Sequence, residues 1–118
     1  MSSADLSQIS RDRPDLVEAV NALQAMLVRK PSLRTLDLDT LLQEIGGVVS
    51  VVEIIELLHE LRERGVAKLV YRVKDKQGYR TAKKFQSLTE KPEHDIDRNG
   101  QDFEVELSNI EQTYELAQ

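Results

Sequence analysis

LDTLLQEIGGVVSVVEIIELLHELRERG, residues 38–65, carries two apolar stripes at helical spacing on either side of a Gly-Gly pair. Leu38, Leu41, Leu42 and Ile45 recur every three or four residues, which predicts a short amphipathic helix ended by Gly46-Gly47. Ser50-Val51-Val52-Glu53 has the spacing of a capping box. There the Ser50 hydroxyl accepts the Glu53 backbone N–H, while the Glu53 carboxylate reaches back to the Ser50 N–H. The next helix therefore starts almost at once and runs to Arg64, where Gly65 closes it.

Upstream, Asp37 is the expected cap of the short helix and Ser32-Leu33-Arg34-Thr35-Leu36 a connector. Before it, Leu16, Val20, Leu23 and Leu27 predict a first helix. Asp12 is its expected capping carboxylate, Pro14 sits where a first turn tolerates proline, and Pro31 is the stop. Residues 1–11 hold few apolar side chains and read as a frayed, flexible arm. Downstream of Gly65 the period shortens to two. Leu69, Tyr71 and Val73 take one face of a strand, and Lys68, Val70, Arg72 and Lys74 the other. Asp75 to Gly78 supplies a turn and residues 79–85 a return strand, an antiparallel hairpin.

The 118 residues are 40% hydrophobic and 31% charged, enough for one packed domain with a tail, expected as 12–88 followed by an acidic extension over 89–118. No apolar run approaches the roughly 20 residues of a membrane span, and the start lacks the basic flank and apolar stretch of a secretory signal. A cytoplasmic protein without a membrane partner is the expectation. Cysteine is absent, which removes disulfides and thiolate chemistry, and the two histidines, His59 and His94, stand without a matched nucleophile. With no glycine-rich phosphate loop either, a non-enzyme without cofactors is expected. The net charge of -5 hides a segregation: residues 66–88 carry seven bases against one acid, Asp75, and residues 89–118 carry nine acids against two bases.

Helix, connector, helix, tight turn, helix ending in glycine, then a two-stranded hairpin: over residues 14–85 this order resembles the winged helix-turn-helix superfamily. The resemblance implies an α+β fold of three helices plus an antiparallel β-hairpin wing, here with a β-prone acidic tail. It also implies that the helix from Ser50 to Arg64 is the recognition helix and that residues 68–85 are the wing. Winged helices serve as DNA readers and as protein-docking modules, so fold and function are separate questions. Small members often dimerise through terminal segments, and the tail or first helix could form such a homodimer.

On a helical wheel Val51, Ile54, Ile55, Leu58 and Leu61 form the expected buried stripe, which turns Glu53, Glu56, Glu60 and Glu63 outward. Four carboxylates on that face would repel phosphates, against the charge neutralisation that DNA affinity requires. Val48, Val49 and Val52, near the start of the same helix, would make an apolar spot ringed by glutamates if exposed, suited to a protein partner. The sequence therefore favours a protein-interaction module, a small adaptor, regulator or subunit. The alternative is a transcriptional regulator holding the DNA backbone weakly through Lys68, Arg72, Lys74, Lys76, Arg80, Lys83 and Lys84. The acidic tail is expected to lie on that basic hairpin, through exposed pairs worth roughly 0–1 kcal/mol each.

In the tail, residues 95–106 match the spacing of a calcium loop. Asp95, Asp97, Asn99 and Glu106 would supply side-chain oxygens and Gln101 a backbone carbonyl. Pro92 lies where an incoming helix would be needed, and no second loop is available to pair. Asn99-Gly100 is a strong hairpin signal, so a hairpin turning at Arg98-Asn99-Gly100-Gln101 without metal is favoured. Phe103 and Val105 would then alternate with acids along an exposed edge, and Ile110, Tyr114 and Leu116 would anchor the last segment.

Overall fold

The computed structural model describes residues 3–117, an α+β arrangement with four α-helices and six β-strands among the described residues. The chain forms two compact units: residues up to Lys68 together with those from Tyr114 onward, and residues 69–113.

The first unit contains α1 (Ser3–Asp12), a 3-10 turn (Pro14–Leu16), α2 (Val17–Arg29), β1 (Thr35–Leu36), α3 (Leu38–Ile45) and α4 (Val51–Glu63). Residues 3–11 are helical, not the flexible arm expected of them. Leu6 and Ile9, one turn apart, are 2% and 0% exposed and belong to the same core as Leu16, Leu23, Met26 and Leu57. Two apolar side chains on one face suffice because helices already packed together receive them; propensity alone could not hold so short a segment. Residues 1 and 2 of the expected arm lie outside the described residues.

Asp12 does not cap the following turn. It ends α1, and its carboxylate accepts from Arg64 Nη1 at 2.8 Å and Gln8 Nε2 at 3.0 Å. Asp37 does cap α3, accepting the Thr40 N–H at 2.8 Å. Both halves of the Ser50–Glu53 capping box form at the start of α4. Gly65 adopts φ 71°, the left-handed turn that ends α4 at little steric cost for a residue without Cβ.

The second unit is built on β2 (Ala67–Lys74), from Leu69 onward, and β3 (Arg80–Phe85), antiparallel with Tyr71 opposite Phe85 and Arg72 opposite Lys84. A bulge shifts the register before Lys74 meets Arg80. The connecting turn is organised by Asp75, 4% exposed, whose carboxylate accepts the N–H groups of Gln77 and Tyr79, each at 2.9 Å. β4 (His94–Ile96) and β5 (Asp102–Glu104) form a second hairpin, and β6 (Ile110–Leu116) follows.

Phe103 and Val105 are not on an exposed edge: they are 7% and 2% exposed and form a core with Val73 and Phe85, against which Tyr71 and Ile110 pack. Tyr71 and Phe85 stack with centroids 5.5 Å apart. Nor do residues 89–118 form an extension to a domain ending at 88. The strand order of the larger sheet is β1-β6-β2-β3, with Leu36 opposite Tyr114 and Thr35 opposite Glu115. Tyr114 and Leu116 pack against the first core, as the expected anchoring of the last segment requires.

Candidate functional site

The outward face of α4 differs from the sequence expectation in both its apolar and its charged residues. The buried stripe is Ile54, Leu57, Leu58 and Leu61, whereas Val51 and Ile55, expected inside, are 43% and 50% exposed. Val52 is 61% exposed and Val48, in the preceding turn, 72%, while Val49 is buried at 3% and drops out of the candidate surface. The stripe has rotated by about half a position: Ile54, Leu58 and Leu61 stay inside, and Leu57 replaces Val51 and Ile55 against the core. A wheel built from Val51 onward contains enough aliphatic residues to satisfy either orientation.

The rotation also changes what the glutamates do. Glu53 is occupied at the capping box. Glu56 and Glu60 turn toward Arg13, which donates to Glu56 Oε2 at 2.8 Å and to Glu60 Oε1 at 3.0 Å. Arg64 Nε donates to the other oxygen of Glu60 at 2.9 Å and Arg64 Nη1 to Asp12, joining α1 to the C-terminal end of α4. Only Glu63 of the four is fully exposed. Two of the four carboxylates expected to face outward are thus tied into an ion network with Arg13 and Arg64, and the exposed residues of the helix are Val51, Val52 and Ile55 beside His59, Arg62 and Glu63. Sequence reasoning missed Arg13 and Arg64 as the partners because Arg13 lies more than forty positions from both glutamates.

This network has a pH consequence. Hydrogen bonds from Arg64 hold Glu60 and Asp12 below the ordinary carboxylate range, and the Arg13 guanidinium does the same for Asp15. Groups whose pKa is lower in the folded than in the unfolded chain stabilise fully above the unfolded value, about 4, and lose that contribution as pH falls through the folded value. The melting temperature is expected to fall from about pH 4.5 downward, and Arg13→Ala is expected to flatten that slope. Parallel melting-temperature profiles for wild type and Arg13→Ala would contradict the assignment.

Next to Val48 a groove of about 560 Å³ is lined by Glu18, Ala22, Ala25 and Arg29 of α2 and by Glu44 and Ile45 of α3. Lys30 holds Glu44 at 2.6 Å, with Arg29 at 3.9 Å. The only sequence signal for this groove is the pair of alanines one turn apart on α2, a spacing too common in helices to single out.

The wing cations are distributed differently. Lys68 is exposed in the first unit. In the second, Arg80 Nη2 lies 2.6 Å and Lys74 Nζ 3.4 Å from the Glu111 carboxylate. Burial pushes the Glu111 carboxyl up, but Arg80 and Lys74 outweigh it and hold it below its ordinary value. Lys83 donates to the His94 carbonyl at 3.2 Å. Arg72 is half-buried, and its Nε is enclosed without a hydrogen-bond partner. Lys76 and Lys84 are exposed. At the hairpin tip Arg98 covers the Tyr79 ring at 4.1 Å. The expected pairing of the tail with the basic hairpin thus takes the form of a strand residue, Glu111, holding two cations.

The calcium-like segment is a hairpin. His94 pairs with Glu104, Asp95 with Phe103 and Ile96 with Asp102. Asp97 Oδ1 is spent on the N–H groups of Asn99 and Gln101, each at 2.9 Å, and Gly100 takes φ 81°. Asp95 is 8% exposed and accepts the Ile96 N–H at 2.8 Å, and Glu106 begins the next 3-10 turn. Among the described residues no group of three or more histidine, aspartate or glutamate side chains is placed to hold a metal ion. His59 is exposed on α4. Among the same residues no helix is long and apolar enough to cross a membrane.

Comparison with known proteins identified no matching family model, no similar curated protein and no similar solved structure.

Proposed function

We propose that this chain is a non-enzymatic winged-helix module that works by docking to a protein, as an adaptor, regulator or subunit. The order α2, α3, α4 and the β2–β3 hairpin supports the winged-helix part of this reading. On that reading α4 is the recognition helix and the hairpin the wing. The observation that carries the function is the outward surface of α4, where Val51, Val52 and Ile55 are exposed beside Val48. Solvent-facing aliphatics in a row cost little singly, but grouped on one helix face they match the apolar centre of an interface and offer nothing to a phosphate backbone. Drawing Glu56 and Glu60 into ion pairs with Arg13 lowers the desolvation cost of covering them.

Val52→Asp is expected to leave the melting temperature nearly unchanged, since Val52 is 61% exposed. It is expected to cost a docked partner about 2 kcal/mol, roughly thirtyfold in Kd. The measurement is recovery of partner from native extract by wild type and variant in the presence of excess random duplex DNA, followed by titration of what is recovered. In parallel, anisotropy with random duplex DNA should show no tight binding near physiological salt. Sequence-selective submicromolar DNA binding, lost on Arg72→Glu with Lys74→Glu and indifferent to Val52→Asp, would replace the docking module with a regulator that uses its wing.

A further inference from the structure

Val48 lines the groove and lies in the turn that leads into α4, two residues before the Ser50 cap. Resting on the docking reading above, we propose that the partner element seated there is an amphipathic α-helix with an aliphatic stripe and basic flanks.

Shape argues for a helix. The groove runs between α2 and α3, and Ala22 and Ala25 are small enough to admit the ridge of another helix close to the backbone. Val52 and Ile55 are three residues apart on α4 and so share one side of that helix, where a partner helix can lay its own anchors. The sheet edge of the same unit, β1, has two residues, too few to recruit an extended peptide by strand addition.

Charge sets the flanks. Glu18, in the groove wall, and Glu63, on the outward side of α4, are exposed and have no cationic partner among the described residues. Glu44, by contrast, is held by Lys30 and Arg29, and Glu56 by Arg13. Of the basic groups around this surface, Lys30 and Arg29 lie on Glu44, Arg13 lies on Glu56, and Arg62 is exposed. Two uncommitted carboxylates against Arg62 favour Lys or Arg on the incoming helix and disfavour Glu or Asp.

The test is selection on the full chain from a library of helical peptides of about 18 residues, long enough for five turns. Aliphatic residues would be set at i, i+3, i+4 and i+7, and the flanks randomised among Lys, Arg, Gln and Glu. Lys and Arg should be enriched at the flanks. Glu18→Lys with Glu63→Lys should weaken the selected peptides about tenfold at low salt, with a smaller loss at high salt. Circular dichroism melts keep folding defects apart from binding defects. Flanks without charge preference, enrichment of Glu, or no retained helical peptide would overturn the inference. Retained peptides that bind Val52→Asp as tightly as wild type would instead overturn the docking reading itself. A dimer in sedimentation that Val52→Asp disperses would show that a second copy of this chain covers the face, leaving docking intact and removing the basic helix.

Discussion

Phe103→Ala is expected to destabilise the second unit by about 3–5 kcal/mol, the range for deleting a buried aromatic from a packed core. Phe103 is 7% exposed, and it shares a small core with Val73, Phe85 and Val105. Phe103 is one of only four buried apolar side chains there, so its truncation removes a large share of that core. The unit also depends on residues late in the chain. Thr113 Oγ1 donates to the Val70 carbonyl at 2.9 Å, and Asn109 Nδ2 to the Lys74 carbonyl at 3.1 Å. A chain ending at Leu88 should therefore fail to form the hairpin in the cooperative state, not merely expose it. Urea unfolding followed by circular dichroism, with tyrosine fluorescence as a second probe, measures both. A loss below about 1 kcal/mol for Phe103→Ala would mean that the 89–113 segment is an appendage after all.

Ile9→Ala should cost about 2–5 kcal/mol. A frayed arm would predict almost no effect, so the two readings of the N-terminal segment differ by about a third of the roughly 5–15 kcal/mol that holds a domain folded. Ile9 is fully buried, and its carbonyl accepts the Arg13 N–H at 2.7 Å, at the point where the chain turns into the Pro14–Leu16 segment. Loss of α1 would also loosen Asp12, a partner of Arg64, and Arg13, the partner of Glu56 and Glu60. The variant should consequently show a weaker dependence of melting temperature on acid pH than wild type. Ser7→Ala, at an exposed position of the same helix, is the control and should stay within about 0.5 kcal/mol. An Ile9→Ala variant as stable as that control would return α1 to the status of an arm.

The sequence by itself determined the elements whose boundaries are set by local chemistry. Asp37 and Ser50 begin α3 and α4 because their side chains satisfy backbone donors three residues on. Gly65, Gly78 and Gly100 mark the left-handed turns, and the period-two stretch after Gly65 is a strand. These interactions span at most a few residues, so no tertiary contact is needed to foresee them. Tertiary structure alone decided which face of α4 is inside, because Val51, Ile54, Ile55, Leu57 and Leu58 allow more than one apolar stripe and only the neighbouring helices select among them. It also decided that Leu6 and Ile9 are core, that Phe103 and Val105 complete a second core, and that Glu56, Glu60 and Glu111 answer to Arg13, Arg64, Lys74 and Arg80. Apart from the i,i+4 pair Glu60–Arg64, those partners are tens of residues apart in the chain. Burial and ion pairing at that separation depend on where the backbone brings two side chains together, which no local pattern encodes.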